Sequence, residues 1–106
     1  MKEEKMKKAR KAYKLTGSMM SRFLGLGVTQ WAIFENGNKV PSVSDMILIE
    51  LACTPLGMKK ILEICKVSVM IKYHREWQRT YEILVKIEYN IDLKKDEINI
   101  NYFNSK

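Results

Sequence analysis

The run Gly25-Leu26-Gly27-Val28-Thr29-Gln30-Trp31-Ala32-Ile33-Phe34-Glu35-Asn36-Gly37 constrains the fold of this chain more than any other part of it. Gly25 offers the left-handed backbone that ends a helix at little cost, so the short apolar segment from Met19 to Leu24 is expected to stop there and the chain to turn. From about residue 28 to 36 a further helix is expected, with Trp31 and Phe34 three apart and Val28 one turn before Trp31. Two short helices joined this way form a helix-turn-helix, in which one face of the second helix is locked in a core and the other is free to enter a major groove. Leu26, Trp31 and Phe34 supply the locked face. Val28, Thr29, Ala32, Ile33 and Asn36 fall on or near the free one.

The flanking segments fit a small helical bundle. Met6, Ala9, Arg10 and Tyr13 follow i, i+3, i+4, i+7 spacing among lysines, which predicts an amphipathic helix ending near Leu15. Thr16 can cap the next helix, which Gly17 and Ser18 open, with Met20, Phe23 and Leu24 inward and Ser21 small enough to admit a neighbour. Asn36 to Pro41 is a loop by composition. Ser42 with Asp45 three residues on starts a fourth helix, and Met46, Ile47, Ile49, Leu51, Ala52 and Cys53 make it nearly all apolar, hence expected to be buried. Thr54-Pro55 is a cap and first-turn pair opening a fifth helix, with Met58, Ile61, Leu62 and Cys65 along one side.

Beyond Lys66 the period changes. Val67, Val69, Ile71 and Tyr73 alternate with other residues, and Val85, Ile87, Tyr89, Ile91 and Leu93 alternate with polar ones, as strands do. A β-hairpin over residues 84–103 is the favoured expectation. A helix is the alternative, because Trp77, Tyr81, Leu84 and Glu88 also suit helical spacing. The expected organisation is a domain over residues 1–66 and an extension over 67–106 that serves as a dimerisation or partner-binding element.

Across 106 residues, 46% are hydrophobic and 29% charged, ordinary proportions for one globular unit. No apolar run is long enough to span a membrane, and the basic N-terminus lacks the features of a secretory signal, so a cytoplasmic location is expected. Cys53, Cys65 and His74 offer no ligand set for zinc, and reduced core cysteines are expected. No cofactor is implied. One histidine and no phosphate-cradling loop leave nothing to share acid, base and nucleophile roles, so no enzyme is expected. The net charge of +7 favours polyanionic partners, because neutralising phosphates releases condensed counterions. Through Lys14 seven bases stand against Glu3 and Glu4, which accounts for +5 of it. These bases read either as a solvated helix face or as phosphate contacts.

Leu15 to Gly37 resembles the lambda-repressor/Cro (XRE) family, whose pattern is Leu-Thr, a helix, a Gly, then a helix ending in aromatic-Glu-x-Gly. More narrowly, Gly25-x-Gly27-Val28-Thr29-x-Trp31-x-x-Phe34-Glu35-Asn36-Gly37-Asn38 followed by Pro41 is similar to the C-terminal domain of MqsA-type antitoxins, over roughly Met6 to Leu62. The resemblance implies a mainly α, five-helix lambda-repressor-like bundle with a C-terminal appendage. It implies base reading from Val28, Thr29 and Ile33. The family's base-reading Asn and Arg are Thr29 and Ile33 here, which make a single hydrogen bond or a thymine-methyl contact in place of a bidentate one. Ile33 packed on the C-terminal segment is the alternative for that residue. Ser18, Gln30, Asn36, Asn38 and Lys39 are expected to touch phosphates. The family's zinc-binding, toxin-binding domain has no counterpart in these residues.

The expectation is a DNA-binding transcriptional regulator, a repressor or antitoxin-like protein, dimeric on double-stranded DNA and nucleoid-associated when bound. The rival expectation is a protein-interaction module on the same fold, binding a toxin or another regulator.

Overall fold

Five helices in chain order build the protein: α1 (Lys2–Ala12), α2 (Gly17–Leu24), α3 (Gln30–Glu35), α4 (Val43–Ala52) and α5 (Pro55–Glu97). The computed structural model describes the backbone of residues 2–97 and the side chains of residues 3–88, and no strand occurs among the described residues.

Local chemistry sets the helix ends. The Thr16 side chain accepts from the Met19 N–H at 3.1 Å, and the Ser42 side chain accepts from the Asp45 N–H at 3.2 Å, as the sequence predicts. Thr54 accepts from the Gly57 N–H at 3.1 Å and opens α5. Gly25 and Gly37 both sit at φ 76°, and the residue after each donates back five positions, Leu26 N–H to Ser21 and Asn38 N–H to Ile33. Lys14 makes the same left-handed exit at φ 58°, with Leu15 N–H on the Arg10 carbonyl, so α1 ends at Ala12 and not near Leu15.

Met6 and Ala9 of α1 and Tyr13 just past its end pack with Met20, Phe23 and Leu24 of α2, Trp31 and Phe34 of α3, Ile49 and Ala52 of α4, and Met58, Ile61 and Leu62 of α5 in one buried cluster. The Tyr13 hydroxyl donates to the Ala52 carbonyl at 2.7 Å, which ties α1 to the end of α4. Burial pushes the Tyr13 phenol pKa upward, so it remains a donor.

The residues after Lys66 depart from the strand expectation. α5 reaches Glu97 as two helical halves joined at a kink, and residues 67–72 and the first expected strand of the hairpin are helical. The rest of that hairpin, residues 98–103, lies outside the described residues. The physical reason is the partner each residue finds. At Tyr73 the backbone leaves the helical region (φ −121°, ψ 38°), and the chain returns alongside its own first half. Trp77 Nε1 donates to the Leu62 carbonyl at 2.8 Å, and Lys59 pairs with Glu88 at 3.2 Å. Trp77 and Tyr81 stack at 4.8 Å. Burying Val69, Trp77 and Leu84 on helical spacing adds them to the same core, whereas period-two alternation would offer the bundle only every second residue.

The second correction concerns α4. Only Ile49 and Ala52 are buried there, while Val43, Ile47 and Leu51 stay exposed. A helix lying on the outside of the bundle can bury one face only, whatever the composition of the other.

Candidate nucleic-acid interface

The relation of α2 to α3 is fixed by a few buried groups. Thr29, the residue before α3, makes no side-chain cap. The cap comes from the neighbouring helix: Ser21 Oγ accepts from the Trp31 backbone N–H at 2.9 Å, with both residues buried. This satisfies one of the orphan donors of a helix start, and it requires a small hydroxyl residue on α2. At the other end of α2 the helices are also close, since a Cβ on Gly17 would stand 3.5 Å from the Ala32 Cβ, in ordinary van der Waals contact.

Glu35 closes the inner side of α3. Its two carboxylate oxygens take Arg10 Nε and Nη2, each at 2.9 Å, and Oε1 also takes Trp31 Nε1 at 2.7 Å. The bidentate Arg10 contact holds the Glu35 pKa below the usual carboxylate range against the opposing effect of burial, and Trp31 and the nearby Lys7 add to it. Arg10 in turn is raised, chiefly by its hydrogen bonds to Glu35. A base inside the apolar stripe of α1 was the sequence signal for this pair, though nothing local names Glu35 as its partner.

The predicted base readers lie in the turn before α3 and in its middle. α3 begins at Gln30, two residues later than expected, because the Gln30 N–H closes on the Gly27 carbonyl at 2.9 Å and leaves Val28 and Thr29 in the turn. Val28 and Thr29 are exposed. Ile33 follows one turn on, its N–H on the Thr29 carbonyl at 3.1 Å, and is half-buried. Ala32 and Asn36 are exposed beside them.

Among the predicted phosphate contacts, Ser18 is half-buried in the first turn of α2, beside the Gly17 that abuts Ala32, and Gln30 is half-buried at the start of α3. Asn36, Asn38 and Lys39 are exposed past its end. With α3 only six residues long, Gln30 and the group Asn36, Asn38 and Lys39 stand at opposite ends of a rod about 9 Å in length.

The exposed part of α3 carries no charge, since Glu35 is turned inward and neutralised. Lys39 is the one base in the predicted set, and the Glu3 carboxylate lies against the Gly37 turn just before it. Other bases come from α1. Lys5 is engaged with Glu50 at 2.7 Å, whereas Lys7, Lys8, Lys11 and Lys14 make no ion pair among the described residues. No disulfide joins Cys53 and Cys65, and no group of three metal-ligating side chains occurs among the described residues. No helix among them is long and apolar enough to cross a membrane.

No family model matches this chain, and no curated protein or solved structure is significantly similar to it.

Proposed function

We propose that this chain is a DNA-binding transcriptional regulator, a repressor or antitoxin-like protein. It presents α3 to a major groove, with Val28, Thr29 and Ile33 toward the bases and Ser18, Gln30, Asn36, Asn38 and Lys39 toward the phosphates. The observation that carries this reading is the Ser21 to Trp31 hydrogen bond together with the Arg10–Glu35 pair, which lock α3 to α2 and to α1 while the opposite side of α3 stays uncharged and open. A rigid helix with an unobstructed face is what groove entry needs. The net charge of +7 adds sequence-independent attraction to phosphate, with Lys7, Lys8 and Lys11 of α1 available for it. Binding as a dimer would bring two α3 helices to successive grooves about 34 Å apart. The working compartment in this reading is the cytoplasm, at the nucleoid when bound.

Titration on DNA from upstream of the gene and on random DNA, at several salt concentrations, tests it. Selective binding with a steep salt slope, whose selectivity falls in the Thr29→Ala/Ile33→Ala double variant while the fold persists, is the expected result. Salt-dependent binding without preference would remove the base-reading claim, and no binding at low salt would remove the function.

A second reading, a protein-interaction module that binds a toxin or another regulator, draws support from α4. Its row Val43, Ile47 and Leu51 lines an open apolar depression with Met46 and Glu50.

A further inference from the structure

The outer edge of the first half of α5 carries an apolar stripe that nothing among the described residues covers. Ile64, Val67 and Ile71 are 75%, 86% and 94% exposed. Their spacing of three and then four residues places them on one seam about 10 Å long. The opposite side of the same helix, Met58, Ile61, Leu62 and Val69, is already buried in the core, so the seam is an addition to what the fold requires. Three exposed β-branched aliphatics in a row differ from the scattered apolar residues of ordinary surfaces.

The charges around the seam discriminate among its occupants. Between residue 56 and the kink at Tyr73 the bases are Lys59, Lys60, Lys66 and Lys72, and the one acid is Glu63. Glu63 is shared between Lys59 at 3.5 Å and Lys60 at 3.6 Å, and Lys59 also reaches Glu88. A second copy of the chain would set this basic strip against its own like, on molecules that each carry +7. A lipid surface favours a broad apolar face with Trp, Phe or Leu, whereas this seam is one residue wide and built from Ile and Val. Aliphatics at three-and-four spacing with charged flanks are what a helix docks against, knob into hole, with partner choice set by the flanking charge.

We propose that the Ile64–Val67–Ile71 seam is a docking site for an acidic amphipathic helix of another protein. It inserts its apolar row along the seam and sets carboxylates toward Lys60 and Lys72. The site lies on α5, outside the residues assigned to DNA, and holds whether or not α3 reads bases.

The test uses the full chain and two designed three-heptad peptides with Ile at a and Leu at d, one with Glu and one with Lys at every e and g position, followed by fluorescence anisotropy. The Glu peptide is expected to bind at least about tenfold more tightly than the Lys peptide, a difference of about 1.4 kcal/mol. The Ile64→Ser/Val67→Ser/Ile71→Ser variant should lose this binding with an unchanged thermal midpoint. The Lys60→Glu/Lys72→Glu variant, which keeps the seam, should invert the preference. Equal binding of both peptides, or of neither, would overturn the proposal. So would sedimentation showing a wild-type dimer that the Ser variant dissolves, or flotation with phosphatidylserine vesicles that depends on the seam.

Discussion

Ser21 on α2 caps α3: its Oγ accepts the Trp31 backbone N–H at 2.9 Å inside the core. The two helices therefore share a buried polar contact as well as apolar packing, and the side chain that starts α3 lies ten residues before it. Ser21→Ala leaves that N–H buried without a partner and is expected to cost about 1–3 kcal/mol. Urea unfolding should show a lower midpoint with an unchanged slope. An unaltered midpoint would mean that α3 is held by packing alone.

The Arg10–Glu35 pair gives stability a direction in pH. With the Glu35 pKa lowered from its ordinary 4.5, the folded state binds fewer protons than the unfolded one near that pH. The pair's contribution is thus complete above 4.5 and is lost as pH falls through the lower folded value. Wild type should lose stability through this window while Glu35→Gln follows a flatter profile there. Glu35→Ala, which strands Arg10, is expected to cost about 3 kcal/mol at neutral pH. Identical acid profiles for wild type and Glu35→Gln would refute the linkage.

Two glycines are required for different reasons, and alanine separates them. At Gly25 a Cβ meets nothing within 4 Å, so the penalty is the left-handed backbone, about 1 kcal/mol. At Gly57 a Cβ would run into the Leu51 carbonyl and the Thr54 side chain, which means moving the α4–α5 junction itself. Thermal melts should rank Gly57→Ala well below Gly25→Ala. The reverse order would show that the junction yields easily.

Removing residues 67–106 takes Val69, Trp77 and Leu84 out of the core and strips the Tyr13 and Lys14 carbonyls of Thr80 and Arg79. Each lost apolar side chain is worth about 1.5–3 kcal/mol. That sum rivals the whole stability of a small domain, about 5–15 kcal/mol. Residues 1–66 alone should melt without a cooperative transition, and a sharp melt near that of the full chain would show them to be self-sufficient.

The sequence by itself determined the local punctuation of this protein. Thr16, Gly25, Ser42 and Thr54-Pro55 act through bonds to residues within a turn or through their own backbone torsions, so their effect is visible in a short window. The buried row Met6, Ala9 and Tyr13 and the inward Trp31 and Phe34 were legible for a similar reason, since helical spacing reports a face directly. Only the tertiary structure decided the rest. That Glu35 meets Arg10, that Ser21 and not Thr29 starts α3, and that Val28 and Thr29 stay in the turn all depend on groups brought together from distant positions. The apolar runs of α4 and of residues 67–88 were the ambiguous cases. Hydrophobic content says that a segment has something to bury, but not which side finds a partner. The fold buried one side of α4, turned the second half of α5 back as a helix onto the first, and left Ile64, Val67 and Ile71 outside because nothing else among the described residues reaches them.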